Sequence, residues 1–284
     1  MLIYISSYPR SGNSLMQNLI SNFFERPISG VEPKSKLIKT EFTKNWRRKN
    51  WHYNDQLLPD DQSEIQSLAS KLNRRIFRKY ALDNWIVLYD LDVPPYTKNH
   101  RCLLPGCQNI LTPKNRQKLA KEKSYFFIKT HNTPYEEYFG GEYVIQIIRH
   151  PKLVFESYFR FLKENGHKDK TMEEMISGKL LYGSWSKWHQ NWEKVSSSLQ
   201  DNFLRLHFEA VLSDTHGACN QIKTLINLNF NPDRKLTSFE ELNKRYPNYY
   251  HSGKVDSKET SYTLDQLNLI QELHGFTMKQ FGYE

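Results

Sequence analysis

The sequence predicts an α/β fold with a central, mostly parallel sheet flanked by helices. Three observations carry this reading. The chain opens with an apolar β-rich run, a glycine-containing loop and a helical pattern, in that order. Short apolar runs recur at residues 125–129, 143–148 and 203–208, with amphipathic helical stretches interleaved. No internal repeat, low-complexity tract or linker divides the 284 residues, so they read as one domain long enough for a full core.

Leu2 to Ser7 is the first strand, and it stops at the turn pair Tyr8-Pro9. Leu15, Met16, Leu19, Ile20, Phe23 and Phe24 then repeat on one face of a helix. Residues 25–60 read as irregular, with Pro27, Pro33 and Pro59, and Asp60 or Asp61 caps a helix through Leu68, Leu72 and Phe77. Residues 90–113 contain four prolines and little periodicity, which predicts a long loop. Tyr125 to Lys129 and Tyr143 to Ile148 are short buried strands. Pro151 suits the first position of a helix carrying Val154, Phe155, Tyr158, Phe159 and Leu162. Trp185, Trp188, His189 and Trp192 mark another helix, with the tryptophans as core. A strand over Phe203 to Phe208, a helix around Cys219 to Leu228 and a helix over Leu264 to Phe281 complete the order.

Composition narrows the function classes. Lys and Arg number 40 against 31 Asp and Glu, a net charge of +9, which points to an anionic partner. Nucleic acid, a membrane surface and a phosphorylated cofactor all satisfy that. No apolar run reaches the roughly 18 residues of a membrane span. The opening MLIYISSYPRSGNS lacks the basic start of a signal peptide, and three cysteines do not make a disulfide scaffold; both predict a cytoplasmic protein.

Three short stretches carry candidate chemistry. Arg10-Ser11-Gly12-Asn13-Ser14 lies between a strand and a helix, where unpaired N–H groups and the helix dipole favour an anion. Gly12 permits close backbone approach, Arg10 adds a charged fork, and Ser11, Asn13 and Ser14 add donors. An ordinary strand-to-helix turn fits the same residues, and the G-x-x-x-x-G-K-[ST] pattern of ATP sites is absent. Arg149 stands at the carboxyl end of the strand over residues 143–148, where open α/β sheets bind ligands, with Ser157 two turns into the next helix. Lys129-Thr130-His131 ends another strand: the histidine suits a general base and the lysine suits developing negative charge.

Together these stretches resemble the cytosolic-type sulfotransferases that use 3′-phosphoadenosine 5′-phosphosulfate (PAPS). The family's 5′-phosphosulfate loop usually reads Y-P-K-S-G-T-T-W, and here Tyr8 to Leu15 reads Y-P-R-S-G-N-S-L. Its K-T-H stands at Lys129 to His131, and R-H-P-K-L-V-F-E-S-Y at Arg149 to Tyr158 is similar to its 3′-phosphate element. Weaker matches follow in order: Gly183 to Trp185, Phe208-Glu209, Thr237-Ser238-Phe239 and His251-Ser252-Gly253-Lys254-Val255.

The resemblance implies a P-loop-like, three-layer fold over residues 1–284, with 25–113 as a variable substrate-binding or lid insertion. It implies PAPS as co-substrate, PAP as product and no metal. Arg10, Ser11, Gly12, Asn13 and Ser14 would hold the 5′-phosphosulfate. Arg149 and Ser157 would hold the 3′-phosphate, with His251, Ser252 and Gly253 as its second loop. Phe239 would stack on adenine beside Thr237 and Ser238, with Leu15 and Phe208 flanking. His131 would take the acceptor proton, while Lys129 and Arg10 would stabilise charge in transfer.

Departures from the family pattern imply weaker PAPS binding than is usual. Leu15 stands for a Trp and removes one aromatic face, worth about 0.5–1.5 kcal/mol in stacking. Phe208 lacks a Tyr hydroxyl, and His251-Ser252 replace an Arg-Lys pair, with Lys254 or Lys258 as substitutes. The family's dimer motif is not evident near residues 258–268, so a monomer or weak homodimer is expected.

The expected partner is a small-molecule acceptor bearing a hydroxyl, N-hydroxyl or amine, with neither nucleic acid nor membrane. The chain resembles compact bacterial enzymes of secondary metabolism, including cyanobacterial saxitoxin-type alkaloid pathways. A guanidinium acceptor would use carboxylates such as Glu32, Glu41, Asp55, Asp90 or Asp92, and a phenol or sugar would use aromatic walls. Two rivals stay open: a nucleotide kinase or NTPase, and an RNA-binding protein using Trp46, Trp51 and Tyr53 among Arg47, Arg48 and Lys49. Residues 114–123 read as a solvated basic helix face, and His100, Cys102 and Cys107 lack an evident fourth zinc ligand.

Overall fold

The computed structural model describes residues 1–31, 88–91, 100–103, 108–109, 111–245 and 262–283. Its main sheet has six strands: β1 (Leu2–Ser6), β2 (Ile28–Val31), β5 (Gln108–Asn109), β6 (Phe126–Thr130), β7 (Glu142–Ile148) and β8 (Phe203–His207). Their spatial order is β5-β2-β6-β1-β7-β8, and every pairing is parallel. A separate antiparallel pair joins β3 (Leu88–Leu91) to β4 (His100–Leu103).

Parallel pairing requires both faces of the sheet to be covered, so its strands alternate between two apolar layers rather than between core and water. Leu2 and Tyr4 of β1, Phe126 and Ile128 of β6, and Val144 and Ile148 of β7 enter one cluster. Ile3 and Ile5, Phe127, and Ile145 and Ile147 enter the other. The first layer is closed by helices α3 (Pro151–Glu164), α4 (Met172–Ile176), α5 (Trp185–Leu199) and α9 (Leu264–Gln280). Helices α1 (Asn13–Phe23), α6 (Phe208–Ser213) and α7 (Thr215–Ile226) close the second. Two shorter-range helices, α2 (Pro113–Lys121) and α8 (Phe239–Arg245), complete the set among the described residues. The expected three-layer α/β class is what forms.

Most predicted elements are present. Pro151 is the first residue of α3, where its missing N–H costs nothing. Trp185, Trp188 and Trp192 are core, each at most 2% exposed. The strand expected over Phe203 to Phe208 ends one residue earlier, and Phe208 opens α6.

Two expectations fail. Residues 28–31 lie in the stretch read as irregular, yet they form β2 beside β6. Residues 100–103 and 108–109 lie in the stretch read as loop, yet they form β4 and β5. These strands are only two to four residues long, too short to show a period, and their neighbours supply the pairing. The helix expected over Leu68, Leu72 and Phe77 lies outside the described residues.

The basic stretch 114–123 is a solvated face, as expected, except at one residue. Lys114, Lys118 and Lys121 are exposed, but Arg116 is buried. It pairs with Glu142 (2.6 Å), which also accepts from Tyr4 Oη (2.5 Å), and its guanidinium lies 3.8 Å from the Tyr135 ring centroid. A buried charge is tolerated when paired and hydrogen-bonded in this way. No helix among the described residues is long and apolar enough to cross a membrane. None of their His, Cys, Asp and Glu side chains group in threes or more as a metal site would need.

Candidate active site

Because the sheet is parallel, the carboxyl ends of β1, β6, β7 and β8 meet along one edge. Ser6 is level with Thr130 on one side and Gln146 on the other, and Ile148 is level with His207. The residues that follow these ends are Ser7, His131, Arg149 and Phe208, so four segments remote in sequence meet where open α/β sheets bind ligands.

The loop after β1 is shaped by two left-handed residues. Ser11 N–H donates to the Tyr8 carbonyl (3.1 Å), with Pro9 in the second position and Arg10 at φ 67° in the third. That is the type II turn pattern, whose third position normally holds Gly or Asn. Arg10 there costs roughly 1–3 kcal/mol of backbone strain, the kind retained at functional sites. Gly12, at φ 113°, is the N-cap of α1, and no side chain among the described residues caps that helix. Ser11 is fully buried, and its hydroxyl has no partner among the described residues.

Gly12 is also required by crowding. A Cβ there would lie 2.6 Å from Phe208 Cδ2 and 2.8 Å from Ile147 Cδ1. Gly12→Ala is therefore expected to lower the thermal midpoint clearly, with roughly 1–3 kcal/mol lost to the backbone alone. An unchanged midpoint would contradict this geometry.

Arg10 and Arg149 converge from different elements. Arg10 Nε donates to Ser157 Oγ on α3 (3.1 Å), and its guanidinium lies 5.1 Å from the Phe161 ring centroid. Arg149 lies over the Phe208 ring at 4.3 Å. Burial pushes the Arg149 pKa down to about 10; Glu209 opposes the shift and Arg10 adds to it. It stays protonated at neutral pH. Predicted residues Arg10, Ser157, Arg149, Phe208 and Gly12 are thus brought together.

His131 is oriented by β1. Its Nδ1–H donates to the Ser7 carbonyl (2.8 Å), which leaves Nε2 as the proton acceptor. Its own carbonyl accepts from Trp188 Nε1 (3.0 Å), and the Tyr182 ring meets the imidazole edge-on at 5.6 Å. Asn13 Nδ2 donates to Ser7 Oγ (3.0 Å) and the Thr130 carbonyl (3.4 Å), locking the two strand ends. Burial pushes the His131 pKa down to about 3; Lys129 and Arg10 lower it further, and the Ser7 bond opposes them. The imidazole is neutral through the physiological range, with Nε2 unprotonated.

The remaining predicted residues among those described, Thr237 to Phe239 and Leu15, lie at α1 and the start of α8. Asn18 on α1 holds Thr237 by both backbone groups (3.2 Å each), and Asn22 donates to Thr237 Oγ1 (3.3 Å). Ser238 Oγ accepts from Glu241 N–H and caps α8 (3.1 Å), and Phe239 packs on the α1 layer. Leu15 is 6% exposed within that layer, so it is a core side chain. His251, Ser252, Gly253, Lys254 and Lys258 lie outside the described residues, as do Cys107, Glu32, Glu41, Asp55, Asp92 and the 46–53 cluster.

Ser7, Tyr182 and Asn18 were not legible as site residues. Ser7 acts through a carbonyl, which any residue has. Tyr182 meets His131, and Asn18 holds Thr237, from elements whose positions only the fold decides.

A family model described as Sulfotransferase domain matches residues 2–281. The chain belongs to the sulfotransferase family. Mouse Sulfotransferase 2A2 is 28% identical over 123 residues, 39% of this chain and 42% of that protein. Rat Sulfotransferase 2A2 is 27% identical over 150 residues, 49% of this chain and 47% of that protein. The matched stretch thus spans less than half the length of these curated relatives. Mouse sulfotransferase SULT7A1, solved with PAP, superposes with a TM-score of 0.57 at 16% identity, covering 99% of this sulfotransferase and 88% of that chain. A retinol dehydratase, solved with androsterone and PAP, gives 0.53 at 13%, covering 98% and 80%. These two likenesses concern the fold.

Proposed function

We propose that this sulfotransferase moves a sulfuryl group from PAPS to a hydroxyl, N-hydroxyl or amine of a small molecule, releasing PAP. The observation that carries the proposal is the Nδ1–H bond from His131 to Ser7, which presents Nε2 as a base at the sheet edge that also gathers Arg10, Lys129 and Arg149. The residues present fit the co-substrate. Ser11 offers a buried hydroxyl with no partner among the described residues, and the α1 N-terminus carries no side-chain cap there.

In this reading PAPS supplies an activated sulfuryl group on a phosphate leaving group. His131 Nε2 takes the acceptor's proton as the acceptor oxygen or nitrogen bonds to sulfur. The bond from sulfur to the bridging oxygen breaks, and its electron pair leaves on the phosphate. Lys129 and Arg10 meet that developing charge, and the loop N–H groups hold the phosphate in line. Arg149 and Ser157 take the 3′-phosphate, which separates PAPS from ATP. No step requires a metal.

PAP is expected to raise the thermal midpoint, unchanged by EDTA, while ATP does not. Absence of PAP binding at millimolar concentration would sink the proposal. Magnesium-dependent stabilisation by ATP would favour a kinase, and salt-sensitive binding of RNA alone a nucleic-acid role. For the acceptor, the Tyr182 ring suits a phenol and, through cation–π attraction, a guanidinium alkaloid of the saxitoxin type. A panel holding both classes separates them.

A further inference from the structure

One residue of the loop after β1 reaches the turn that precedes α5. Tyr8 is 1% exposed, and its Oη donates to the Gly183 carbonyl (2.8 Å) across 175 residues. Burial, with Tyr182 as a further cause, pushes the phenol pKa up, so the phenol stays protonated and donates. Its ring meets the Trp188 ring edge-on at 6.1 Å and the Tyr158 ring at 6.4 Å. Gly183 N–H donates to the Leu180 carbonyl (2.9 Å), and its φ is 71°. A Cβ at Gly183 would meet nothing within 4 Å among the described residues, so side-chain packing does not hold the turn at that point. The residue before it is Tyr182, whose ring meets the His131 imidazole at 5.6 Å and the Tyr158 ring at 6.4 Å.

We propose that Tyr8 is a positioning residue that holds the 180–184 turn through the Gly183 carbonyl and so sets the Tyr182 ring against the His131 imidazole. This deepens the reading of His131 as the base and rests on it. The imidazole is held by three groups. Ser7 takes its Nδ1–H and sets the tautomer, and Trp188 Nε1 holds its backbone carbonyl. The Tyr182 ring packs on the imidazole itself and limits its rotation. Tyr8 uses two groups for two tasks. Its carbonyl accepts from Ser11 N–H and closes the turn of the phosphate loop, while its phenol reaches Gly183. Removing the phenol oxygen leaves the loop bond in place. It deprives the Gly183 carbonyl of that donor, and the turn relaxes toward another partner. The local motif marks Tyr8 only as a turn residue, because the reach of its phenol depends on how α5 packs.

The test compares wild type, Tyr8→Phe, Tyr182→Leu and the double variant by NMR of the His131 ring at neutral pH, assigned with His131→Ala, and by calorimetry with PAP. Tyr8→Phe keeps a ring against Trp188 and Tyr158 and removes only the hydroxyl. It is expected to shift the His131 ring-proton signals, whose positions depend on the Tyr182 ring current, while the Nδ1–H signal persists. Tyr182→Leu shifts the same signals, and Tyr8→Phe added to it is expected to move them no further. PAP affinity is expected to change less than about twofold in Tyr8→Phe, because the bond that closes the loop is a backbone one. Unmoved ring protons in a folded Tyr8→Phe, or an equal further shift in the absence of Tyr182, would overturn the inference. Loss of the Nδ1–H signal or a larger loss of PAP affinity would overturn it too, since a tyrosine that merely supports the fold gives those results. A wild type that binds no PAP overturns the co-substrate reading and this inference with it, and the ring-proton shifts tell that failure from a failure of Tyr8 alone.

Discussion

His131→Ala is expected to lose turnover by a factor on the order of 10²–10⁴, the range for removal of a general base, while PAP affinity changes less than twofold. The geometry separates these effects. His131 is tied to Ser7 by Nδ1 and to Trp188 by its own carbonyl, so in the proposed reading Nε2 is left to take the acceptor's proton and is not assigned to the phosphate. Steady-state rates with a responsive acceptor and calorimetry with PAP read the two quantities independently. Lost PAP binding by a folded variant would show that His131 holds the nucleotide instead. A second readout concerns the proton. The pKa near 3 has burial as its largest cause and Lys129 and Arg10 as further ones. An anion between those two cations cancels their repulsion, so PAP should move the imidazole titration upward. An NMR titration in which PAP leaves it unmoved would place the anion elsewhere.

Arg149→Ala is expected to weaken PAP on the order of 10–100-fold, the scale of a charge-assisted hydrogen bond. Adenosine 5′-phosphate should change little. Arg149 is stacked on Phe208 and electrostatically coupled to Glu209, while Arg10 is held on Ser157, the residue assigned with Arg149 to the 3′-phosphate. Direct binding of both nucleotides checks this. Equal loss for both would mean that Arg149 supports the whole nucleotide pocket.

Much of this arrangement was legible in the residues alone. The order of strand, glycine loop and helix at Leu2 to Phe24 needs only local periodicity, and it matches β1 and α1. Pro151 announces α3, because its fixed φ and absent N–H are harmless only at a helix start. Arg10 and Ser157 were both named from their motifs, and they touch. The short strands β2, β4 and β5 were not legible, because two to four residues show no period. Arg116 was read with its lysine neighbours as surface, because a buried charge looks like an exposed one until its partner Glu142 is in place. Thr237 to Phe239 are expected nucleotide contacts, and the structure adds that Thr237 is fastened to α1 by Asn18 and Asn22.

By itself the sequence determined the fold class, the phosphate-loop candidate and the identity of the basic residues at three strand ends. Each of these depends on residues close together in the chain. Tertiary structure decided which tautomer His131 adopts, what Arg149 rests on and which carbonyl the Tyr8 phenol reaches. Those facts depend on contacts across 124 residues from His131 to Ser7 and 175 from Tyr8 to Gly183. The register of parallel strands and the packing of the turn before α5 against the loop after β1 create such contacts, and no local pattern records them.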